Sequence, residues 1–524
     1  MSAGLGLSIA RRFHDETTHT PYSVRTSGHT LEWDIKPFPF KVYTELPGLA
    51  LPRDIHVLAR PTLEVLASAA SAASAASGAP PARSLTLEAL TTVLYYSAGV
   101  TRKKTYPGGG EVLFRAAAST GALYQTEVYV AVGDVVGLPP GLYHFCPGDF
   151  TLRRLRADDV RPVLAAAAGE PALARRAATL VLSAILWRNT WKYQSRGYRH
   201  LFWDSGTMLA NTLAAGEALG LGPRVLTGFV DDQVNQCLGL DAEREAALEL
   251  VALGPEGEAG VPTGPLPSIA HDVMPLSSDE VDYPALREIH RASGLPTAEA
   301  VVAWRKAAAP PAREPHGPLV PLPEPASQGR ALGETIQRRG SPRRFAHEPL
   351  SAQELATALW AATRPWPADV PSGLVDLHVI VNAVEGVPSG VYVYWPGRGL
   401  EIVRSGELRR EAAYLTLEQA LGGDAAATIF FLAPLDAIVA AWGERGYRLA
   451  NLEAGLAGGR AYLAAYALGF GASGLTFYDA EVVRFFAPHA AGRDAIFVTA
   501  LGHGARARDG VLVSNPIQPP TRGS

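Results

Sequence analysis

The sequence has little of several features that would assign it to a specialised class. Only two cysteines occur in 524 residues, Cys146 and Cys237, so no disulfide framework can form, which fits a reducing cytoplasm. The net charge is −4, and without a basic excess neither nucleic acid nor an anionic membrane surface is predicted as a partner. The N-terminal residues carry early charges and no apolar run, unlike a signal peptide. We expect a soluble cytoplasmic protein.

Long apolar runs are also scarce. The longest, residues 425–442, contains Pro434 and Asp436, and we interpret it as a buried strand running into a helix, not as a membrane span. The composition, 47% hydrophobic and 19% charged, is that of an ordinary globular protein. A chain of this length exceeds one hydrophobic core, so two domains of roughly 200 residues are predicted.

The chain contains an internal duplication. The segment VGDVVGLPPGLYHFCPG (132–148) matches VNAVEGVPSGVYVYWPG (381–397), and RGYR occurs at 196 and again at 445; both pairs are 249 positions apart. Upstream, residues 85–99 resemble residues 350–364, with about fifteen extra residues in the first copy. Two copies of one domain predict a two-fold pseudo-dimer within one chain, in which a site at the interface uses both copies.

Each copy has the same predicted order of elements. A helix (85–98; 350–362) precedes β-rich segments, a buried strand (179–185; 428–434), a long helix through RGYR and a final strand. This pattern indicates the α+β class. The predicted organisation is an N-terminal extension (1–60) without counterpart in the second copy, a first domain (61–260), a Pro-rich linker or arm (261–328) and a second domain (329–524). The low-complexity segment 66–81 is compatible with an Ala-rich helix or a loop.

Two basic segments occur only in the second copy. In RRGSPRRF (338–345), Arg339 and Arg343 flank Ser341, and guanidinium forks with a hydroxyl suit a phosphate. After the last strand, Arg506 and Arg508 stand where the first copy is acidic. The alternatives are a solvated basic turn and a charged tail.

Two other features occur only in the first copy. The small residues 118–121 would let a backbone approach a flat ligand, although a plain tight turn is the alternative. Lys192 and Tyr193 stand where the second copy has Ala441 and Trp442, and such a pair suits acid/base chemistry. The alternative is a surface lysine beside a half-buried tyrosine. Together these features predict one complete site between the copies, with a pseudo-symmetric site that lacks them.

On these segments, together with RRFHDETTHT near the N-terminus and SGLTFYDAEVVRFF near residue 480, the chain resembles the nitroreductase-like FMN flavoproteins. Within them it is most similar to the SagB/ThcOx-type dehydrogenases, the azoline oxidases of azole-containing ribosomal peptide biosynthesis. The resemblance implies tandem nitroreductase-like domains that form an intramolecular pseudo-dimer and hold FMN at their interface. Many relatives have proline where this chain has Ala118 and Gln125.

The resemblance also implies roles for individual residues. The phosphate would be bound by Arg339, Ser341 and Arg343, with Arg506 and Arg508 nearby. The segment with Leu475, Thr476 and Phe477 would pass the flavin N5 edge, while Ala118, Ser119, Thr120 and Gly121 would pack on the ring system. Lys192 and Tyr193 would be the catalytic pair, with the base either a Tyr193 phenolate or a neutral Lys192 amine. No metal site is predicted.

Three classes of function follow. The first is an FMN-dependent oxidase or dehydrogenase that converts azolines to azoles in a modified precursor peptide, with a cyclodehydratase complex as a further partner. The second is an FMN-dependent oxidoreductase, of the nitro- or quinone-reductase kind or an oxidase, on another small or carrier-bound substrate. The third is a non-catalytic partner in a peptide-modifying complex. A homo-oligomer is compatible with all three.

Overall fold

The structure is a computed structural model that describes residues 7–74, 83–105, 111–261, 266–505 and 511–512. Arg506 and Arg508 lie outside the described residues, as does the end of the low-complexity segment. The strands are β1 (Gly48–Ala50), β2 (Val100–Thr105), β3 (Glu111–Arg115), β4 (Thr126–Val132), β5 (Gly141–Cys146), β6 (Thr151–Arg156), β7 (Arg176–Ile185), β8 (Arg224–Leu226), β9 (Glu245–Glu256), β10 (Leu319–Val320), β11 (Asp376–Val381), β12 (Gly390–Trp395), β13 (Gly399–Ser405), β14 (Ala427–Ala433), β15 (Gly471–Gly474), β16 (Asp494–Gly502) and β17 (Val511–Leu512).

Helices cover both sheets and connect them. They are α1 (Ile9–Glu16), α2 (Pro21–Thr26), α3 (Thr62–Ser74), α4 (Leu87–Ala98), α5 (Arg161–Ala168), α6 (Leu186–Tyr193), α7 (Gly197–Ala218), α8 (Asp231–Leu238), α9 (Pro284–Ala292), α10 (Ala298–Arg305), α11 (Leu332–Arg338), α12 (Ala352–Ala362), α13 (Arg409–Leu415), α14 (Ala420–Asp424), α15 (Leu435–Trp442), α16 (Arg445–Leu468) and α17 (Asp479–Phe485). Short 3₁₀ turns occur at Trp33–Ile35, Thr120–Ala122, Pro171–Arg175 and Gln194–Arg196.

The two large sheets correspond strand for strand. Their orders are β1-β6-β5-β4-β7-β9-β8 and β10-β13-β12-β11-β14-β16-β15, and neighbouring strands are antiparallel. A third, small sheet has the order β17-β2-β3. The predicted duplication and the α+β class are therefore confirmed.

The predicted elements form where local chemistry favours them. Thr86 caps α4 by accepting from the amide of Ala89, and Ser351 with Glu354 forms a capping box on α12. The apolar run 425–442 is β14 followed by α15, as expected. In the described part of the chain, no helix combines the length and apolar character needed to cross a membrane.

The long helices α7 and α16 pack against each other through glycines in equivalent positions. A Cβ on Gly206 would lie 2.5 Å from the carbonyl oxygen of Leu452, and one on Gly455 would lie 2.4 Å from that of Trp203. Only glycine permits this backbone approach. The close packing brings both copies onto one continuous hydrophobic core.

The RGYR motifs join the copies reciprocally. Arg196 and Arg199 at the start of α7 bind Asp479 of the second copy, while Arg445 and Arg448 at the start of α16 bind Asp231 of the first (the aspartates begin α17 and α8). All six side chains are buried. The motif is therefore an interface element of both copies.

Residues 1–60 make contacts equivalent to those of the Pro-rich segment 261–328, which lies before the second copy. Arg199 donates to the carbonyl of His14 in α1, and Arg448 donates equivalently to the carbonyl of His290 in α9. Likewise β1 and β10 occupy the same edge of their sheets. The first part of the chain and the Pro-rich segment 261–328 thus play matching roles, although their sequences have diverged too far to align.

Candidate active site

A cavity of about 1070 Å³ lies where the two copies meet. The first copy contributes residues 36–40, β3, residues 118–124 and the C-terminal end of α6. The second contributes residues 339–344 and 469–476. The cavity brings together eleven of the sequence-predicted site residues: Ala118, Ser119, Thr120, Gly121, Lys192, Tyr193, Arg339, Ser341, Arg343, Leu475 and Thr476.

Lys192 and Tyr193 end α6 beside this cavity, both partly buried. Burial lowers the pKa of Lys192, and the positive charges of Arg343 and Lys36 lower it further. Burial raises the pKa of the Tyr193 phenol, and the negative charge of Asp204 adds to this effect. These directions favour a neutral amine on Lys192 and a protonated phenol on Tyr193.

The small-residue loop lies directly against Tyr193. Gly121 has a φ of +63°, and a Cβ there would lie 2.9 Å from the Tyr193 hydroxyl oxygen. Any larger residue would be strained in the left-handed region and would displace the phenol. The loop therefore forms the surface on which the tyrosine rests.

Asp204 in α7, which sequence reasoning missed, holds this loop. Its carboxylate accepts hydrogen bonds from the Ser119 hydroxyl at 2.5 Å and from the backbone amide and hydroxyl of Thr120 at 2.9 and 2.7 Å. It also accepts one from the side-chain amide of Gln125 at 2.8 Å. Burial raises the pKa of Asp204 to about 6, although these hydrogen bonds oppose the shift. Gln125, at a position where relatives have proline, thus contributes a hydrogen bond that proline could not make.

A signal for Asp204 was present in the duplication. The residue 249 positions later is also an acid, Glu453. Glu453 accepts from the amides of Gly373 and Leu374 at 2.9 and 2.7 Å, so it holds the equivalent loop of the second copy. A search for acids at matched positions of both copies would have identified these two loop-binding carboxylates.

Arg339 contacts protein groups that the phosphate prediction did not foresee. Its guanidinium donates to the carbonyl oxygens of Arg115, Ala116 and Ala117 at 2.8, 2.7 and 3.1 Å. The Nε and one terminal nitrogen therefore hold the first copy's backbone beside the small-residue loop. A guanidinium suits a carbonyl as well as a phosphate, so the sequence could not distinguish the two partners.

The other two members of that basic segment differ from Arg339. The Ser341 hydroxyl lies 3.1 Å from the hydroxyl of Tyr462, which in turn accepts from the Gly474 amide at 2.6 Å. Arg343 is exposed, and within the described residues its guanidinium forms no ion pair; the same holds for Arg344. These two arginines present positive charge at the cavity.

The segment after β15 is divided between cavity and core. Leu475 and Thr476 line the cavity, and the Thr476 hydroxyl accepts from Gln419 at 3.1 Å. Phe477 does not line it. This ring is fully buried, with the Arg196 guanidinium 5.2 Å from its centroid.

The pseudo-symmetric position is filled by the protein's own chain. The Val225 amide donates to the Pro367 carbonyl at 2.7 Å, and the Asp369 amide donates to the Val225 carbonyl at 3.1 Å. The Asp369 carboxylate accepts from the amide and hydroxyl of Thr227, both at 2.8 Å, and from the Gly228 amide at 3.0 Å. Thr227 is the counterpart of Thr476, which lines the open cavity. At the closed position, therefore, the Asp369 carboxylate lies where the open position has cavity space.

One further contact fixes this closing segment, and another lies beside it. Arg305 donates to Asp369 at 2.7 Å, and the Trp304 indole donates to the carbonyl of Trp442 at 3.0 Å. Trp442 stands at the position of Tyr193. The second half therefore has packed aromatic side chains where the first half has a cavity.

Comparison with known protein families matches two segments, residues 57–254 and 336–503, to the Nitroreductase family. The chain belongs to this family and is an oxidoreductase, as the resemblance implied. A solved structure from Anabaena variabilis described as a nitroreductase shares 27% identity and a TM-score of 0.75, covering 95% of this chain and 100% of that one. The tandem arrangement is thus also the fold of that protein.

Curated relatives include one nitroreductase and two processing proteins. A nitroreductase of Methanocaldococcus jannaschii is 30% identical over 171 residues, 32% of this chain and 81% of the relative. The trifolitoxin-processing protein TfxB of Rhizobium leguminosarum bv. trifolii is 28% identical over 184 residues, 32% of this chain and 47% of the relative. The microcin B17-processing protein McbC of Escherichia coli is 27% identical over 152 residues, 28% of this chain and 52% of the relative. The match thus spans about half the length of these last two relatives.

A flavin is the cofactor typical of this family, and the residues at the cavity fit one. Arg343 and Arg344 supply cationic forks suited to a phosphate. The small-residue loop and β15, whose sequence is GASG, bring short side chains to the cavity, and this allows the backbone to approach a planar ring system. At the closed position the same space is occupied by Pro367 and Asp369.

Proposed function

We propose that the protein is an FMN-dependent dehydrogenase that oxidises azolines, thiazolines or oxazolines, to azoles in a modified precursor peptide. The observation that carries the proposal is the asymmetry of the two halves. The half with Lys192 and Tyr193 has an open cavity, whereas the half with Ala441 and Trp442 is closed by residues 366–369. One composite site per chain is the arrangement that this asymmetry supports.

In this proposal the second copy holds FMN and the first copy covers it. Arg343 and Ser341 bind the phosphate, with Arg344 beside them and Arg506 and Arg508 as further candidates outside the described residues. Arg339 acts by fixing the backbone next to the small-residue loop. Leu475 and Thr476 border one edge of the ring system, and Phe477 supports them from the core. Bound FMN would supply the hydride acceptor.

The proton is the part of the reaction that falls to the protein. An azoline becomes an azole by loss of a proton from the ring carbon next to the carbonyl and of a hydride from the neighbouring carbon, and the remaining electron pair forms the new double bond. Lys192 is the proposed base, because its lowered pKa increases the neutral fraction. The Tyr193 phenol, which stays protonated, donates a hydrogen bond that orients the substrate. Molecular oxygen is the proposed final electron acceptor.

The test uses purified full-length protein and a synthetic peptide that contains one thiazoline. A yellow protein that converts thiazoline to thiazole, with a loss of about 2 Da per ring, supports the proposal. A colourless protein, or a flavin that is not reduced by the peptide, contradicts it. An assay that starts from the unmodified cysteine peptide and a cyclodehydratase then tests whether that partner supplies the substrate.

One observation favours a second candidate. The relative from Methanocaldococcus jannaschii, which is named as a nitroreductase, is matched over 81% of its length. An FMN-dependent reductase of nitro compounds or quinones is therefore the alternative. Turnover of such compounds with NAD(P)H, without azoline oxidation, would favour it.

A further inference from the structure

The hairpin of β2 and β3 belongs to the first copy alone. It lies where the first copy has about fifteen extra residues between matched segments, and the second copy passes from α12 to β11 without strands. β2 pairs with β3 on one side and with β17 on the other. In the described ranges of the chain, no strand pairs with the outer edge of β3. The half with the open cavity thus carries an additional open sheet edge.

This open edge borders the cavity. All five residues of β3, 111–115, line it, whereas β2 contributes only Arg102 and Lys104. Successive side chains of a strand point to opposite faces, so a strand that faces a cavity contributes alternate residues, as β2 does. Consecutive lining residues indicate that the backbone edge of β3 faces the cavity.

The hairpin is firmly attached to the first copy. Leu113 packs on a cluster that contains Phe40 and Cys146, and the Arg115 amide donates to the Tyr124 hydroxyl at 3.1 Å. An edge held in this way presents its backbone donors and acceptors in a fixed orientation, and such edges recruit extended peptides.

The surroundings of the edge are basic. The Arg102 guanidinium lies 4.5 Å from the centroid of the Phe114 ring, which carries positive charge across the face of β3. Lys36 and Lys104 line the same region of the cavity. The one acid on β3, Glu111, is paired with Lys103 at 2.5 Å. An incoming strand with acidic side chains would therefore be attracted to this edge.

We propose that the edge of β3 is a docking strand for the substrate peptide. An extended, acidic segment next to the azoline adds to β3 by main-chain hydrogen bonds and places the ring in the cavity. The proposal rests on the proposed function, because it takes the substrate to be a peptide. It extends that function by assigning recognition to backbone geometry and charge, with little dependence on side-chain identity.

The experiment measures binding separately from turnover. The probe is a fluorescein-labelled acidic peptide that ends in a thiazole, which cannot be oxidised further, titrated into the flavin-loaded protein. A series of probes carries one N-methyl group at each successive amide. Because strand amides alternate between the ladder and the opposite side, affinity should fall about threefold to tenfold at every second position. A loss without this alternation, or no loss, overturns the proposal.

A charge-reversal pair tests the electrostatic part. Lys104→Glu should weaken the acidic probe about tenfold and leave turnover of a minimal thiazoline amide, too short to reach β3, unchanged. The matched control is Lys306→Glu, on an exposed position that does not line the cavity. Equal effects of both variants contradict the docking site. Failure of the proposed function is distinct, since the minimal thiazoline would then not be oxidised while the binding results still stand.

Discussion

Asp479 of the second copy accepts a hydrogen bond of 2.6 Å from Arg199 of the first copy. Its pseudo-symmetry mate, Asp231, accepts one of 2.6 Å from Arg448 in the opposite direction. Both pairs are buried. Each copy is therefore bound to the other by an equivalent buried ion pair.

Loss of either aspartate should destabilise the whole chain. Asp479→Ala leaves Arg196 and Arg199 buried without a carboxylate, and such a loss costs about 3–5 kcal/mol of unfolding free energy. Chemical denaturation checks this value. The control is Glu314→Gln, which removes the exposed partner of Arg398 and should cost less than about 1 kcal/mol. Similar losses in both variants would contradict the role given to Asp479.

The same pairs set a lower pH limit for stability. Burial by itself would raise the pKa of Asp479, but Arg196 and Arg199 outweigh it and hold the pKa below its usual value. A depressed carboxyl pKa contributes stability above the unfolded value, about 3.9, and loses it as the pH falls further. The denaturant concentration at the unfolding midpoint, measured from pH 7 downward, should therefore decrease once the pH is below about 4. In Asp479→Ala this drop should be smaller.

The duplication made most of the fold predictable. A fixed register of 249 residues relates α7 to α16 and β7 to β14, since both copies keep the same apolar spacing. The match between α1 and α9 could not be predicted from the sequence, because it consists of arginine hydrogen bonds to backbone carbonyls of the two helices. Carbonyl contacts leave little trace in a sequence.

The candidate site was predictable where the two copies differ, and less so where they agree. Lys192 with Tyr193 stood out against Ala441 with Trp442. Asp204 did not, because its counterpart is also an acid and the comparison sought differences. Arg339 binds backbone carbonyls whereas Arg343 is exposed at the cavity. This difference depends on which carbonyls lie within reach, and only the tertiary structure determines that.

Lys192 is the residue whose loss should affect the chemistry most directly. Lys192→Ala should lower kcat by about 10²–10⁴ with FMN content unchanged. Because the proposed base is the neutral amine of Lys192, wild-type turnover should rise with pH through a pKa lower than that of an ordinary lysine. Lys306→Ala is the control. A variant with wild-type turnover, or a wild-type rate that falls as the pH rises through this range, would show that another group removes the proton.

Asp204 should act on the reaction through the loop that it holds. Asp204→Asn loses the charge that accepts from Ser119 and Thr120, so we expect a fall in kcat of about 10- to 100-fold through misplacement of the loop. The pKa of Tyr193 should also fall, because Asp204 raises it. Ultraviolet titration with the signal of Tyr193→Phe subtracted isolates this phenol, and an unchanged denaturation midpoint distinguishes the loss of the Asp204 charge from exposure of Tyr193 by a structural defect.

The matched control for Asp204 lies in the closed half. Glu453→Gln changes the equivalent acid, which holds residues 373–375 and does not line the cavity. It should affect stability while leaving kcat and the pH profile of the folded protein unchanged. If both variants lose activity equally, Asp204 acts by general stability and not on the loop beside Tyr193.

The closed half predicts the stoichiometry of the cofactor. One FMN per chain is expected, because Pro367 and Asp369 fill the space that a second ring system would need. The ratio of flavin absorbance to protein concentration, measured after release of the flavin by heat, gives this number. Asp369→Ala removes the carboxylate from Thr227 and Gly228 but leaves the backbone bridge to Val225, so the ratio should stay at one. Two flavins in the wild-type protein would mean that the segment 366–369 moves aside, and the closed half would then be a second binding site.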